Sequence, residues 1–200
     1  MRFRAPVAEL YEQDFDEACR RLAEVCAPFA PDVVIGIATG GTHVCDAMVG
    51  YLPSAPTVAI LTIQRPATSA KHALGLSRAL TSLPRPLADV LRWLEVEYRE
   101  ATLRKIAPAD LEQRALAVAD RSEIGGSAAP LHVLIVDDSV DSGRTLQLAM
   151  LAVAHAYPGA VIRTAVLAST WRRPPVIPDF CLHERTLLRL PWSLDARTLA

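Results

Sequence analysis

The sequence predicts an α/β fold: a doubly wound, mainly parallel sheet with a helical insertion at about 66–130 and a small C-terminal element at about 171–195. Three observations carry this reading. Four short runs, Asp32–Ile37, Thr57–Ile63, His132–Asp137 and Val161–Ala168, have the length and near-continuous apolar character of strands buried on both faces. Helix-periodic segments alternate with them. The first and third runs each pass through a polar corner containing glycine into a helix, at Ala38-Thr39-Gly40-Gly41-Thr42 and at Asp137 to Thr145. A chain of 200 residues, 51% of them hydrophobic, suits one domain (1–200) with a sizeable core.

Taken in order, residues 1–13 read as a loose arm carrying Tyr11. Asp14 has the character of an N-cap, with Glu17 three residues on to complete a capping box. Phe15, Cys19, Leu22 and Cys26 share one helical face, and Pro28 and Pro31 close the helix. After the first strand, a helix runs through Val44, Cys45, Met48 and Val49. Thr57–Ile63 reads as a second buried strand ending at Gln64-Arg65-Pro66. Charges of both signs then intersperse, and strand signals stop. Leu87, Leu91, Leu94 and Tyr98 give one apolar face of a helix over about 86–106. Pro108 suits a first helical position, with Leu111, Ala115 and Val118 on the helix that follows. Gly125-Gly126-Ser127 is a joint before the third strand. Lid, subunit contact and plain structural cover are all open for 66–130. The helix after the third strand runs to about Tyr157, where Pro158-Gly159 stops it. Beyond the fourth strand, Arg172–Pro175 and Pro178 make a rigid connection, Phe180–His183 and Leu187–Leu190 read as short strands, and Pro191-Trp192 ends the ordered chain.

Composition narrows the function. A net charge of -1 and 6% aromatic residues disfavour nucleic acid as a partner. Cys19, Cys26, Cys45 and Cys181 lack metal-type pairing and read as free thiols. His43 could touch a ligand beside Gly40-Gly41, but ordinary surface or capping roles are expected for it and for His132, His155 and His183. No run reaches membrane-spanning length, so a soluble cytoplasmic protein without membrane partners is expected.

The chemistry concentrates in Val133–Leu146, V-L-I-V-D-D-S-V-D-S-G-R-T-L. Ligands of open α/β sheets sit at the carboxyl ends of strands. A helix N-terminus offers free N–H groups and a positive dipole end to phosphate. Asp137 and Asp138 repel one another unless a cation or ligand holds them together. Two carboxylates for hydroxyls beside an anion cradle suit a sugar phosphate.

This stretch, with its apolar strand, acidic pair, short turn and Gly-x-Thr, resembles the signature of type I phosphoribosyltransferases, which use 5-phosphoribosyl-1-pyrophosphate (PRPP). The resemblance implies that Asp137 and Asp138 hold the ribose hydroxyls and, through water, Mg²⁺. It implies a 5-phosphate loop of Asp141, Ser142, Gly143, Arg144 and Thr145, with Asp141 also placed as general base. As a residue, Asp141 equally suits a helix N-cap. Thr39, Gly40, Gly41 and Thr42 resemble the pyrophosphate loop, where a strained or cis peptide is common. Thr39 stands where an arginine often precedes the glycines, so Arg65, or less favourably Lys71, would supply the charge. The segment from Pro178 to Ser193 resembles the base-binding hood of 6-oxopurine (hypoxanthine, xanthine, guanine) members, with Leu187, Leu188 and Trp171 at the acceptor. Leu187 replaces the stacking aromatic, and the lysine that donates to the purine 6-oxygen is absent.

The implied reaction passes the 5-phosphoribosyl group of PRPP to a nitrogen acceptor, a nucleobase or related heterocycle, with release of pyrophosphate. Mg²⁺ is the implied cofactor and a homodimer the implied assembly. A PRPP-sensing regulator on the same fold is the alternative. A phosphoacceptor receiver domain, also suggested by V-L-I-V-D-D-S, would need a later strand-end lysine, and none follows Lys105. A P-loop is excluded because no G-x-x-x-x-G-K-[ST] occurs.

Overall fold

The computed structural model describes residues 6–63, 84–102, 108–120 and 132–193. Five parallel strands form the main sheet: β2 (Val33–Ile37), β3 (Thr57–Leu61), β4 (His132–Val140), β5 (Val161–Ser169) and β6 (Phe180–Glu184), in the order β3-β2-β4-β5-β6. Alternation within these strands builds two cores. Val34, Leu134, Val136, Ala165 and Leu167 face α1 (Glu12–Cys26) and α2 (Gly40–Val49). Val33, Ile35, Ile37, Val133, Ile135 and Val166 face the opposite side, which holds α4 (Pro108–Ala119) and α5 (Arg144–Ala156). The expected three-layer α/β architecture is present, with β4 and β5 longer than the apolar runs alone suggest.

Several local expectations are corrected. The arm at 1–13 contains β1 (Val7–Glu9), which pairs in parallel with β7 (Leu187–Arg189) as a separate two-stranded sheet. Its first five residues lie outside the described set. Asp14 is no N-cap. Helix α1 begins at Glu12 behind an extended Tyr11, so Asp14 already lies in the first turn and its N–H bonds the Tyr11 carbonyl. Glu17 instead accepts from Arg20. Strand β3 is an edge strand, not a buried one, with Val58 and Ile60 exposed.

The two predicted insertion helices are present as α3 (Arg85–Thr102) and α4. Residues 64–83, 103–107 and 121–131, including the Gly125-Gly126-Ser127 joint, lie outside the described residues. Helix α4 packs as expected, with Leu111 and Ala115 buried against α5. Helix α3 turns the other way round. Leu87, Leu91, Leu94 and Tyr98 are 41–70% exposed, while Ala88 and Val96 are buried. Val96 and Trp93 pack with Trp171, Leu187 and Val7.

All four cysteines are free. Burial pushes the thiols of Cys19, Cys26 and Cys45 up to about 12, so they are inert core side chains at neutral pH. Among the described residues no helix is long and apolar enough to cross a membrane.

Candidate active site

Because all five strands run the same way, their carboxyl ends share one edge. The chain leaves β2 towards β3 on one flank and returns to β4 to build β5 and β6 on the other. The reversal lies between β2 and β4, and a crevice opens there. A cavity of about 690 Å³ occupies it. Its wall includes Ala38, Thr39 and Gly40 after β2, Asp137 to Val140 of β4, the Asp141–Gly143 turn and the first turn of α5.

The two glycine corners meet the acidic pair directly. A Cβ at Gly40 would overlap the Asp138 carboxylate, and one at Gly41 would overlap the Val136 carbonyl. Gly-Gly is therefore a packing requirement that lets the start of α2 rest on the acidic strand end. The Ala38–Thr39 peptide is cis. Neither α2 nor α5 has a side-chain cap, so both helix N-termini keep free N–H groups at this crevice. Gly143 is the N-cap of α5, at φ 73°, and Asp141 is not. Its neighbour Ser142 accepts from the Arg144 N–H at 3.4 Å.

Asp137 is buried, and its Oδ1 accepts from the Asp138 N–H at 2.9 Å. Asp138 is held from two sides. Its Oδ1 accepts from the Ser139 N–H at 2.7 Å, and its Oδ2 accepts from the Trp192 indole N–H at 3.0 Å. Trp192 lines the cavity and stacks on His43 with ring centroids 4.4 Å apart. Asp141 accepts from the Thr170 hydroxyl and lies 3.9 Å from the Arg99 guanidinium. Arg144 carries a buried Nη2 with no hydrogen-bond partner among the described residues. An orphaned buried donor is costly unless a ligand completes it.

Asp137, Asp138, Asp141, Ser142, Gly143, Arg144, Thr145, Thr39 and Gly40 thus converge on one cavity. Gly41 supports it from behind, and Thr42 is not part of its wall. Arg65 and Lys71 lie outside the described residues. The three acceptor candidates are elsewhere. Trp171 and Leu187 are buried under α3, and the Leu188 carbonyl accepts from Arg92 at 3.4 Å. The Trp171 indole N–H is buried without a partner among the described residues. Reading the sequence alone missed Arg99 and Arg114, which line the cavity from the insertion, because nothing in their spacing marks them.

The phosphoribosyl transferase domain family matches residues 7–177. The chain belongs to the phosphoribosyltransferase family. It is a pentosyltransferase domain, built for PRPP-dependent transfer. Among curated proteins nothing matches the sequence. Solved structures share the fold along most of both chains. A purine phosphoribosyltransferase from Pyrococcus horikoshii Ot3 is 21% identical over 92% of this chain and 93% of its own, with a TM-score of 0.56. Helicobacter pylori xanthine-guanine-hypoxanthine phosphoribosyltransferase is 13% identical over 94% and 93%, at 0.55. A hypothetical protein from Neisseria gonorrhoeae with bound ppGpp is 14% identical over 100% and 94%, also at 0.55.

Proposed function

We propose that this phosphoribosyltransferase passes the 5-phosphoribosyl group of PRPP to a ring nitrogen of a nucleobase or related heterocycle. The bond from the anomeric carbon to pyrophosphate breaks, a carbon–nitrogen bond forms, and the acceptor nitrogen loses its proton. One observation carries the reading: two uncapped helix N-termini and an adjacent pair of carboxylates border a single cavity. PRPP has phosphate at both ends and a diol between them, and this wall has partners for all three.

In this reading the turn Asp141–Thr145, with the unpartnered Arg144 donor, takes the 5-phosphate. Asp137 and Asp138 accept from the ribose hydroxyls. Thr39 and Gly40 face the leaving pyrophosphate, with Gly41 and Thr42 continuing the turn into α2. Asp141, fixed by Thr170, is the base candidate on the acceptor side.

Magnesium fits the donor set. Two adjacent carboxylates face the cavity, and no cluster of three metal-type side chains occurs among the described residues. That suits an ion which keeps its waters and is held mainly by substrate oxygens. When bound, Mg²⁺ neutralises charge on the pyrophosphate. A cytoplasmic homodimer acting through small molecules belongs to the same reading, with residues 1–200 as one domain.

The test is calorimetry with PRPP and Mg²⁺, followed by pyrophosphate release across purines, pyrimidines and related heterocycles. A bond from a hydroxyl to a carboxylate is worth about 1.5–3 kcal/mol, so Asp137→Asn with Asp138→Asn should weaken PRPP by at least about tenfold. Unchanged binding in that double variant would remove the reading. A second reading, a PRPP-responsive regulator, draws on one observation: α3 fills the hood where the acceptor would lie, burying Trp171 and Leu187. Binding of PRPP without turnover on any heterocycle would select it.

A further inference from the structure

The turn at residues 190–193 reaches back to the acidic strand end. Pro191 restricts its backbone, and two bonds close it: the Ser193 N–H donates to the Leu190 carbonyl and the Leu190 N–H to Ser193 Oγ, both at 2.9 Å. Trp192, at the tip, is gripped on two sides. It stacks on His43 of α2 with ring centroids 4.4 Å apart, and Phe15 of α1 meets it edge-on at 5.2 Å. An indole N–H can only donate. This one donates to Asp138 Oδ2 at 3.0 Å, and both side chains line the cavity.

Asp138 needs such a restraint. The terminal torsion of an aspartate is soft, and the neighbouring Asp137 carboxylate repels it. The Ser139 N–H anchors Oδ1 at 2.7 Å, with the Ser139 hydroxyl more distant at 3.4 Å. One anchored oxygen still lets the carboxylate turn about that point. The Trp192 bond to Oδ2 supplies a second point and sets the carboxylate plane. Gly40 leaves the space beside Oδ2, since a Cβ there would lie 2.0 Å from it, but a gap only admits the oxygen and does not aim it. An ionised carboxylate has about four acceptor positions, so these bonds orient Asp138 without using up its capacity for ligand hydroxyls.

We infer that Trp192 is a positioning residue of the donor site: its indole N–H holds the Asp138 carboxylate in the orientation that accepts from the ribose diol of PRPP. This rests on the PRPP reading above. A carboxylate already aimed loses little freedom when the diol arrives, and that saving is what the bond contributes to affinity. The segment that resembles a base-binding hood thus ends in a group that serves the donor. Through one ring, α1, α2 and the C-terminal turn are joined to the end of β4.

The experiment uses Trp192→Phe, which keeps a ring between His43 and Phe15 and removes the N–H, and Asp138→Ala, which removes its acceptor. The full chain, both single variants and the double variant go through two measurements, with thermal midpoints as the check on folding. The first is tryptophan emission without ligand. Asp138→Ala should shift the emission of the unaltered chain, and in the Trp192→Phe background, where Trp93 and Trp171 remain, the same substitution should not. The second is calorimetry with PRPP in Mg²⁺. A hydrogen bond to a charged group corresponds to about a tenfold change in affinity, so Trp192→Phe should lose about tenfold. The double variant should bind no more weakly than Asp138→Ala, because residues that act as one unit do not add. Emission indifferent to Asp138, PRPP affinity unchanged in Trp192→Phe, or additive losses in the double variant would each overturn the inference. Failure of the unaltered chain to bind PRPP would instead remove the functional reading beneath it, while the emission result still decides whether Trp192 holds Asp138.

Discussion

Gly40 shows how tightly the two halves of the site are joined at the level of single residues. Its missing Cβ leaves the space that the Asp138 carboxylate occupies, and that carboxylate is already pinned by Ser139 and Trp192. Forcing a methyl into filled space costs about 1–3 kcal/mol. Gly40→Ala should therefore lower the thermal midpoint and weaken PRPP together, because Asp138 must leave the position from which it meets the diol. Gly50→Ala is the control, since a Cβ there meets nothing within 4 Å. A Gly40→Ala chain that binds PRPP like the unaltered one would show that the two corners are not coupled. The acidic pair was legible because adjacent carboxylates repel and need a cation or ligand to stay together, whereas Gly40-Gly41 alone is an ordinary strand-to-helix turn that gained meaning only from the resemblance of the whole corner. Arg99 and Arg114 were not, because an arginine on a charged helix looks the same whether it faces solvent or a cavity.

At the scale of elements, the hood is held by a buried cation. Arg189 of β7 is 4% exposed and pairs with Glu9 of β1 at 2.6 Å and Asp89 of α3 at 2.5 Å. One side chain thus ties the N-terminal strand, the C-terminal strand and the insertion together. Removing one partner of a buried ion pair costs about 3 kcal/mol or more. Arg189→Ala should cost close to that in urea unfolding and free α3 from the hood, whereas Arg20→Ala, on an exposed helix face, should cost less than about 1 kcal/mol. Equal effects of the two would show that the triad does not anchor these elements. Helix α3 also marks a limit of sequence patterning. The period correctly placed Leu87, Leu91, Leu94 and Tyr98 on one side, but the protein turns that side outward and packs the face of Ala88, Arg92 and Val96. Periodicity says which residues share a face. The partners on offer, here the Arg189 guanidinium and the Leu188 carbonyl, decide which face is used. Strand β1 was missed for a related reason, since three residues of half-buried chain become a strand only when β7 lies beside them.

Across the whole molecule, two titrating groups on the β6 flank link fold stability to pH in separate windows. His183 of β6 is partly buried, and burial together with the nearby charge of Arg21 on α1 lowers its pKa below the ordinary 6.5. The unfolded chain takes up that proton near 6.5 and the folded chain only at lower pH. The unfolded state therefore binds more protons as pH falls, and stability present above about 6.5 is lost on descent through that window. Asp179, just before β6, accepts from Thr164 N–H and hydroxyl at 2.9 and 2.8 Å and from Arg163 at 2.5 Å. Burial alone would raise its pKa, but these bonds outweigh it and hold the carboxyl below 3.8. Its contribution persists until pH falls below that value. The urea midpoint should thus decline between about pH 7.5 and about pH 5.5, and fall again in stronger acid. His183→Gln should flatten the first decline and leave the second, while Asp179→Asn should do the reverse. A midpoint that rises on acidification through about pH 6 would show that His183 gains rather than loses its proton partner on folding.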